Sequence, residues 1–261
     1  MWPRDLLPQK IPYSRVFLFK YNSNVAFDVS EAGIREHANA LLDHLQGYRE
    51  DSETTTIPII FVGHSLGGLV IKQALVLAKQ NDKVYGDIRK NTRALVFFAT
   101  PHKGGNGASL GDRAASVVAF FTGNLRNDML KLLNQSSKHL ANLTVDFSHQ
   151  YEDYQFLTVS ETLGLVKAPI IVDASSAVIG LPGHREHVLQ LNRDHRQICK
   201  FEGNSNSDFK LVARHLKRLA DAAVENSPNQ GRIQEDPEQR PIVAEPVGFE
   251  LRASLGSQTD P

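Results

Sequence analysis

The chain reads as an α/β protein, a mainly parallel sheet with helices on both faces. Two observations carry that reading. Short bursts of β-branched and aromatic residues alternate with stretches of helical period along the first 224 residues. One of the bursts also runs through a glycine-bracketed serine directly into a helix. With 261 residues, the chain is long enough for one full domain of this class.

The expected strands are residues 15–21 (RVFLFKY), 57–62 (IPIIFV), 94–99 (ALVFFA), 155–160 (QFLTVS) and 170–173 (IIVD). Between the first two, Ile34, Ala38, Leu41, Leu42 and Leu45 recur at helical spacing, and Asp28 with Glu31 resembles a capping pair. About fifty residues separate the third and fourth strands, far more than a crossover needs. Within them, 114–121 (AASVVAFF) and 129–133 have helical character, so a helical cap insertion over the active site is expected. Phe120 and Phe121 would line an acyl pocket or fill the cap's own core. A last amphipathic helix spans about 207–224, with Val212, Leu216, Leu219, Ala220 and Ala223 on one side. From residue 225 the composition turns to Pro, Gln and acidic residues without period. Residues 1–224 are therefore expected as one domain and 225–261 as a disordered tail or linker.

The serine turn is Gly63-His64-Ser65-Leu66-Gly67, with a buried-type strand before it and the apolar stretch 69–78 after it. A serine on a sharp strand-to-helix turn has its hydroxyl thrust above the sheet edge, and the glycines allow the bend and the close packing. That is the nucleophile elbow of an α/β-hydrolase fold, and Ser65 is the candidate nucleophile.

A serine hydroxyl needs a base and a group to orient that base. In this fold the order along the chain is Ser, acid, His, each at the carboxyl end of the sheet. Seven histidines follow the elbow: His102, His139, His149, His184, His187, His195 and His215. The base belongs between the last strand and the last helix, which leaves His184, His187 and His195. His195, just ahead of the final helix, is the preferred base; the other two read as solvated loop residues. For the acid, Glu161 stands at the end of 155–160, with Asp173 as the alternative. Asp194, adjacent to His195, reads as a solvated carboxylate. The N–H of Leu66 would supply one oxyanion donor. A His-Gly pair that often marks the second donor does not occur in the sequence.

Composition sets bounds. Lys and Arg number 29 and so do Asp and Glu, so no global field favours nucleic acid or another polyanion. The single Cys199 allows no intramolecular disulfide framework and fits a reducing compartment. The start, MWPRD, has no signal-peptide pattern, and no apolar run approaches the roughly 20 residues that span a bilayer. The expectation is an intracellular protein, soluble or touching a membrane peripherally. No metal-ligand spacing and no phosphate-cradling glycine loop is present, so no metal or cofactor is expected.

Four segments, WPRDLLP at 2–8, GHSLGG at 63–68, FATPHKGG at 98–105 and DHRQICKF at 194–201, occur in an order and spacing that resembles the lipase-like hydrolases of the "serine active site containing" group. The nearest likeness is to the hydrolase domain at the amino terminus of fungal NLR-type proteins, and it covers about residues 2–224. The resemblance implies Ser65 as nucleophile, His195 as base and His102 as part of a structural turn. It leaves Glu161 and Asp173 both open as the acid. It also implies a strand and a His-Gly loop upstream of WPRD, so the N-terminal strands, with the second oxyanion donor, are expected to be missing from this chain. The activity implied is cleavage of a carboxylic ester, of a lipid or other acyl substrate, with mitochondrial or endoplasmic-reticulum membranes as the implied setting. Two alternatives accompany it: a catalytically weak signalling or interaction module, and a thioesterase or peptidase using the same residues.

Overall fold

A computed structural model describes residues 1–20, 31–104, 109–122, 127–164 and 170–227; the side chains of 118–137 are outside that description. Four strands, β1 (Ile59–His64), β2 (Thr92–Phe98), β3 (Gln155–Glu161) and β4 (Glu186–Leu191), form one sheet in that order. All three pairings are parallel. The connections carry the helices α2 (Glu31–Asp51), α3 (Gly67–Gln80), α4 (Asp82–Asn91), α5 (Leu110–Thr122), α6 (Asn127–Ser148), α7 (Ala174–Ala177) and α8 (Ser207–Glu225), preceded by a short α1 (Trp2–Asp5). This is the α/β-hydrolase architecture that the sequence predicts.

β2 shows why the sheet must be covered on both sides. Its alternate residues Leu95 and Phe97 pack with Ile71 and Leu75 of α3 and with Leu143 and Phe147 of α6. Val96 and Phe98 face the other way, onto Trp2 and onto Phe209, Val212 and Leu216 of α8. A strand with two apolar faces is stable only between two helical layers. The side chain of Asn206 caps α8 by accepting from the Phe209 N–H at 3.0 Å.

α3 is buried at every position from 68 to 78. Its outer face is covered by Ala38 and Leu42 of α2 and by Ile88 of α4, so a helix apolar all round sits in the interior, as its sequence requires. Among the described residues, no helix is long and apolar enough to cross a membrane.

Three expectations need correction. Residues 15–20 form no strand, only an isolated bridge at Val16, and Tyr21 is outside the described residues. The apolar burst is spent locally: Phe17 sets its ring edge-on to Tyr48 of α2 at 4.6 Å, while Val16 packs toward the main core. Residues 170–173 also form no strand; the Val172 N–H is taken by the Glu161 carboxylate and Asp173 caps α7, which leaves no ladder to extend. β4 was not foreseen. Its sequence EHVLQL interleaves polar and apolar residues, and only Glu186, Leu189 and Leu191 are buried, as suits an outer strand.

The long connection is helical, as expected, and divides its work. Leu110, Ala114 and Ala115 of α5, with Leu140 of α6, enclose Leu69 and touch Leu66 beside the elbow. The later part of α6 is a crossover helix packed on the sheet through Leu143 and Phe147. Phe120 and Phe121 lie among the side chains not described; Asp28 and residues 228–261 of the expected tail lie outside the described residues, while Glu225, the first residue of that expected tail, closes α8.

Candidate active site

β1 ends at His64, and α3 begins at Gly67. Between them Ser65 has φ +56°, a left-handed conformation that a non-glycine residue adopts only under constraint. The constraint is visible. The Ser65 N–H donates to the Phe98 carbonyl at 2.9 Å, which ties the elbow to the end of β2. A Cβ on Gly63 would lie 2.8 Å from Ile71 Cδ1 and 2.9 Å from Gly68 Cα, and one on Gly68 would lie 2.9 Å from Thr100 Cβ. Glycine at 63 and 68 is what lets strand, turn and helix stack this closely.

Ser65 Oγ lies 2.9 Å from His195 Nε2. His195 Nδ1 in turn lies 3.2 Å from Glu161 Oε2, and both of these side chains are wholly buried. The other Glu161 oxygen, Oε1, accepts the Val172 N–H at 2.5 Å. The three side chains thus come from the ends of three different strands. The carboxylate thus stands on the Nδ1 side of the imidazole, and Nε2 faces the serine hydroxyl. The Leu66 N–H, at the positive end of α3, makes no backbone hydrogen bond among the described residues.

The remaining candidates go elsewhere. Asp173 caps α7 by accepting the Ser176 N–H at 3.0 Å and pairs with Arg113 of α5 at 2.7 Å. Burial pushes its carboxyl up, but the Ser175 hydroxyl, the Ser176 amide and Arg113 together hold it below the usual carboxylate range. Asp194 accepts the N–H groups of Arg196 and Gln197 at 2.8 and 3.0 Å, and so closes the turn that carries His195. His187 stacks on His215 of α8, with ring centroids 4.0 Å apart. His184 is exposed in the turn before β4.

Sequence reasoning missed His64. Its Nε2 lies 2.9 Å from the backbone carbonyl of His195. Burial, then the nearby His195 ring and Lys200, pull its pKa down to about 4. G-x-S-x-G leaves the second position open, and the only signal for it was its place inside the GHSLGG segment. On the far side of the loop that carries His195, the Trp2 indole N–H donates to the Cys199 carbonyl at 2.8 Å. The Trp2 ring packs edge-on to Phe201 (5.3 Å), Phe209 (6.1 Å) and Phe98 (6.2 Å).

A second set of buried polar groups lies beneath α3, against Phe97. Lys72 is fully buried, its ammonium 6.0 Å from the Phe97 ring centre and 5.6 Å from that of Phe147. Burial lowers its pKa to about 7, against the pull of Glu186. His102 sets its ring edge-on to Phe97 at 4.8 Å and donates its backbone N–H to the Ser176 carbonyl at 2.8 Å. Burial first, and then Lys72 and Lys103, hold its ring well below the usual imidazole value. Among the described residues, neither the Lys72 amine nor either ring nitrogen of His102 has a hydrogen-bond partner. No group of three or more His, Cys, Asp or Glu side chains converges as a metal site among the described residues.

Residues 6–156 match the family described as "Putative serine esterase (DUF676)". The chain is similar to Protein SERAC1 of Danio rerio, 26% identical over 230 residues, covering 85% of this chain and 33% of that protein. It is similar also to Protein SERAC1 of Homo sapiens, 24% identical over 239 residues, covering 87% and 34%. The chain thus spans about a third of the length of the curated relatives it matches. Similar solved structures include the RedJ thioesterase from the prodiginine biosynthetic pathway in Streptomyces coelicolor (TM-score 0.35, 18% identity, 71% of each chain). A lipase-esterase related protein from Clostridium acetobutylicum is another (TM-score 0.34, 13% identity, 70% of this chain and 75% of that one).

Proposed function

Because the chain belongs to the family of putative serine esterases, we propose that it is a serine hydrolase in which Ser65, His195 and Glu161 form the catalytic triad. The observation that carries this is the continuous line from Ser65 Oγ through the two ring nitrogens of His195 to a buried carboxylate, at 2.9 and 3.2 Å. Ser65 Oγ attacks the acyl carbon of an ester while His195 Nε2 takes the hydroxyl proton. The carbonyl π bond opens, and the oxyanion faces the Leu66 N–H. Collapse expels the alcohol, which receives the proton back from Nε2. Water, deprotonated by the same nitrogen, then attacks the acyl-serine, releases the acid and restores Ser65. Glu161 orients the ring and balances its transient charge throughout.

The substrate class proposed is a lipid or other acyl ester, reached by peripheral contact with a membrane surface. A thioester needs the same geometry and differs only in the leaving group. Kinship with the hydrolase domain of fungal NLR-type proteins rests on the four sequence segments and belongs to the same proposal.

The test is a fluorophosphonate probe, which phosphonylates only activated serines, applied to the purified chain and to Ser65→Ala. Labelling of the first and not the second is the expected result. A folded chain that takes no label would overturn the hydrolase reading.

A further inference from the structure

His64 is a half-buried titratable residue, adjacent to Ser65, that the proposed mechanism does not use. A carbonyl oxygen can only accept, so the 2.9 Å contact with the His195 carbonyl requires that His64 Nε2 carry a hydrogen and donate it. In the neutral ring Nδ1 is then the unprotonated nitrogen. Protonation at low pH would leave the Nε2–H in place. The bond therefore persists on both sides of its own titration.

Its position gives the bond a consequence. His64 immediately precedes Ser65, and that backbone is fixed by the Ser65 N–H bond to Phe98. The base's backbone is thus tied to the same point that sets the nucleophile. The two imidazoles are 5.1 Å apart and inclined at 42°, so the rings do not stack and the tie is the hydrogen bond. Other contacts hold the loop's far end: Trp2 bonds the Cys199 carbonyl at 2.8 Å and the Arg193 guanidinium bonds that of Lys200 at 2.9 Å. The His195 ring and the Lys200 ammonium both disfavour protonation of His64.

We propose that His64 is a positioning residue, pinning the loop that bears His195 to the nucleophile elbow through its Nε2–H. The proposal rests on reading Ser65 and His195 as nucleophile and base. A base on a loop needs such a pin, because a misplacement of ~1 Å can cost about 10² in rate.

The experiment compares His64→Phe, which fills the space without a donor, with His64→Gln, whose amide N–H can reach the same carbonyl. Ester turnover is measured across pH, and amide hydrogen exchange is followed at Gln197, Ile198 and Lys200, whose N–H groups close the loop. His64→Phe is expected to lower kcat by about 10–100-fold, with KM within about twofold and exchange at those amides faster by about tenfold. His64→Gln restores most of both, and neither variant moves the limbs of the pH profile. Equal losses in the two variants, or unchanged exchange in His64→Phe, would overturn the proposal. If the unmodified chain takes no fluorophosphonate label, the hydrolase reading falls by itself. Exchange then still decides whether the pin exists: faster in His64→Phe alone supports it, and no difference removes it.

Discussion

Two sets of buried polar residues lie close to the elbow, and they are built oppositely. At the strand ends, Ser65, His195 and Glu161 each have a counterpart at 2.9 or 3.2 Å, and the free Glu161 oxygen takes the Val172 N–H. Beneath α3, the amine of Lys72 and both ring nitrogens of His102 meet aromatic faces and edges and no acceptor or donor among the described residues. An unpaired buried polar group costs about 1–3 kcal/mol, and a charge costs more. Burial alone therefore does not identify a functional group. A close line of contacts that ends at Ser65 Oγ, run from Glu161 through His195, separates the first set from the second.

The sharpest way to break this contrast is to change one carboxylate in the linked set and its rival outside it. Glu161→Gln should lower kcat for an ester by about 10⁴, with circular dichroism unchanged. Asp173→Asn keeps a capping oxygen for the Ser176 N–H but loses the ion pair with Arg113, so it should cost at most about 1 kcal/mol of stability and leave turnover within about twofold. Equal kinetic losses would show that the two carboxylates had been wrongly separated.

Lys72→Met tests the second set. Folding lowers the amine from 10.5 to about 7, so between those values the unfolded chain holds the extra proton. Stability should then rise as pH climbs through that window, and the penalty should be complete below pH 7. Replacing the lysine should therefore stabilise the protein by about 3–5 kcal/mol near pH 7, with the gain shrinking toward pH 10.5. Urea midpoints at the two ends of the window read this directly, and a gain independent of pH would contradict it. Ester turnover should not change. His102→Leu is the smallest effect expected, about 1 kcal/mol of added stability, again with kcat unmoved; a large kinetic loss would move His102 into the catalytic set.

The parts legible in the sequence were those governed by local pattern. The apolar bursts at 94–99 and 155–160 correspond to β2 and β3, and the glycine-flanked serine stands where β1 gives way to α3. Position relative to the last helix was enough to single out His195 as the histidine beside Ser65 Oγ. What failed depended on distant partners. β4 was hidden because an outer strand keeps one edge and part of its faces in water, so EHVLQL lacks the apolar signature of an interior strand. The run at 170–173 has that signature, yet its backbone is claimed by Glu161 and by the α7 cap. Which of Glu161 and Asp173 lies beside His195 depends on this bend, which no local pattern encodes. Lys72 was concealed differently: a lone lysine in an apolar helix looks like its wet side, but α2 and α4 leave that helix no wet side.

Trp2 is the chain's single tryptophan, and its place gives the molecule an intrinsic optical gauge. The indole is in contact with the end of β2, the face of α8 and, through Cys199, the loop that carries His195. Its emission colour and quenching therefore report, without any attached dye, whether that loop is seated, and a stopped-flow trace at this one wavelength would time the loop's closing onto the sheet during refolding.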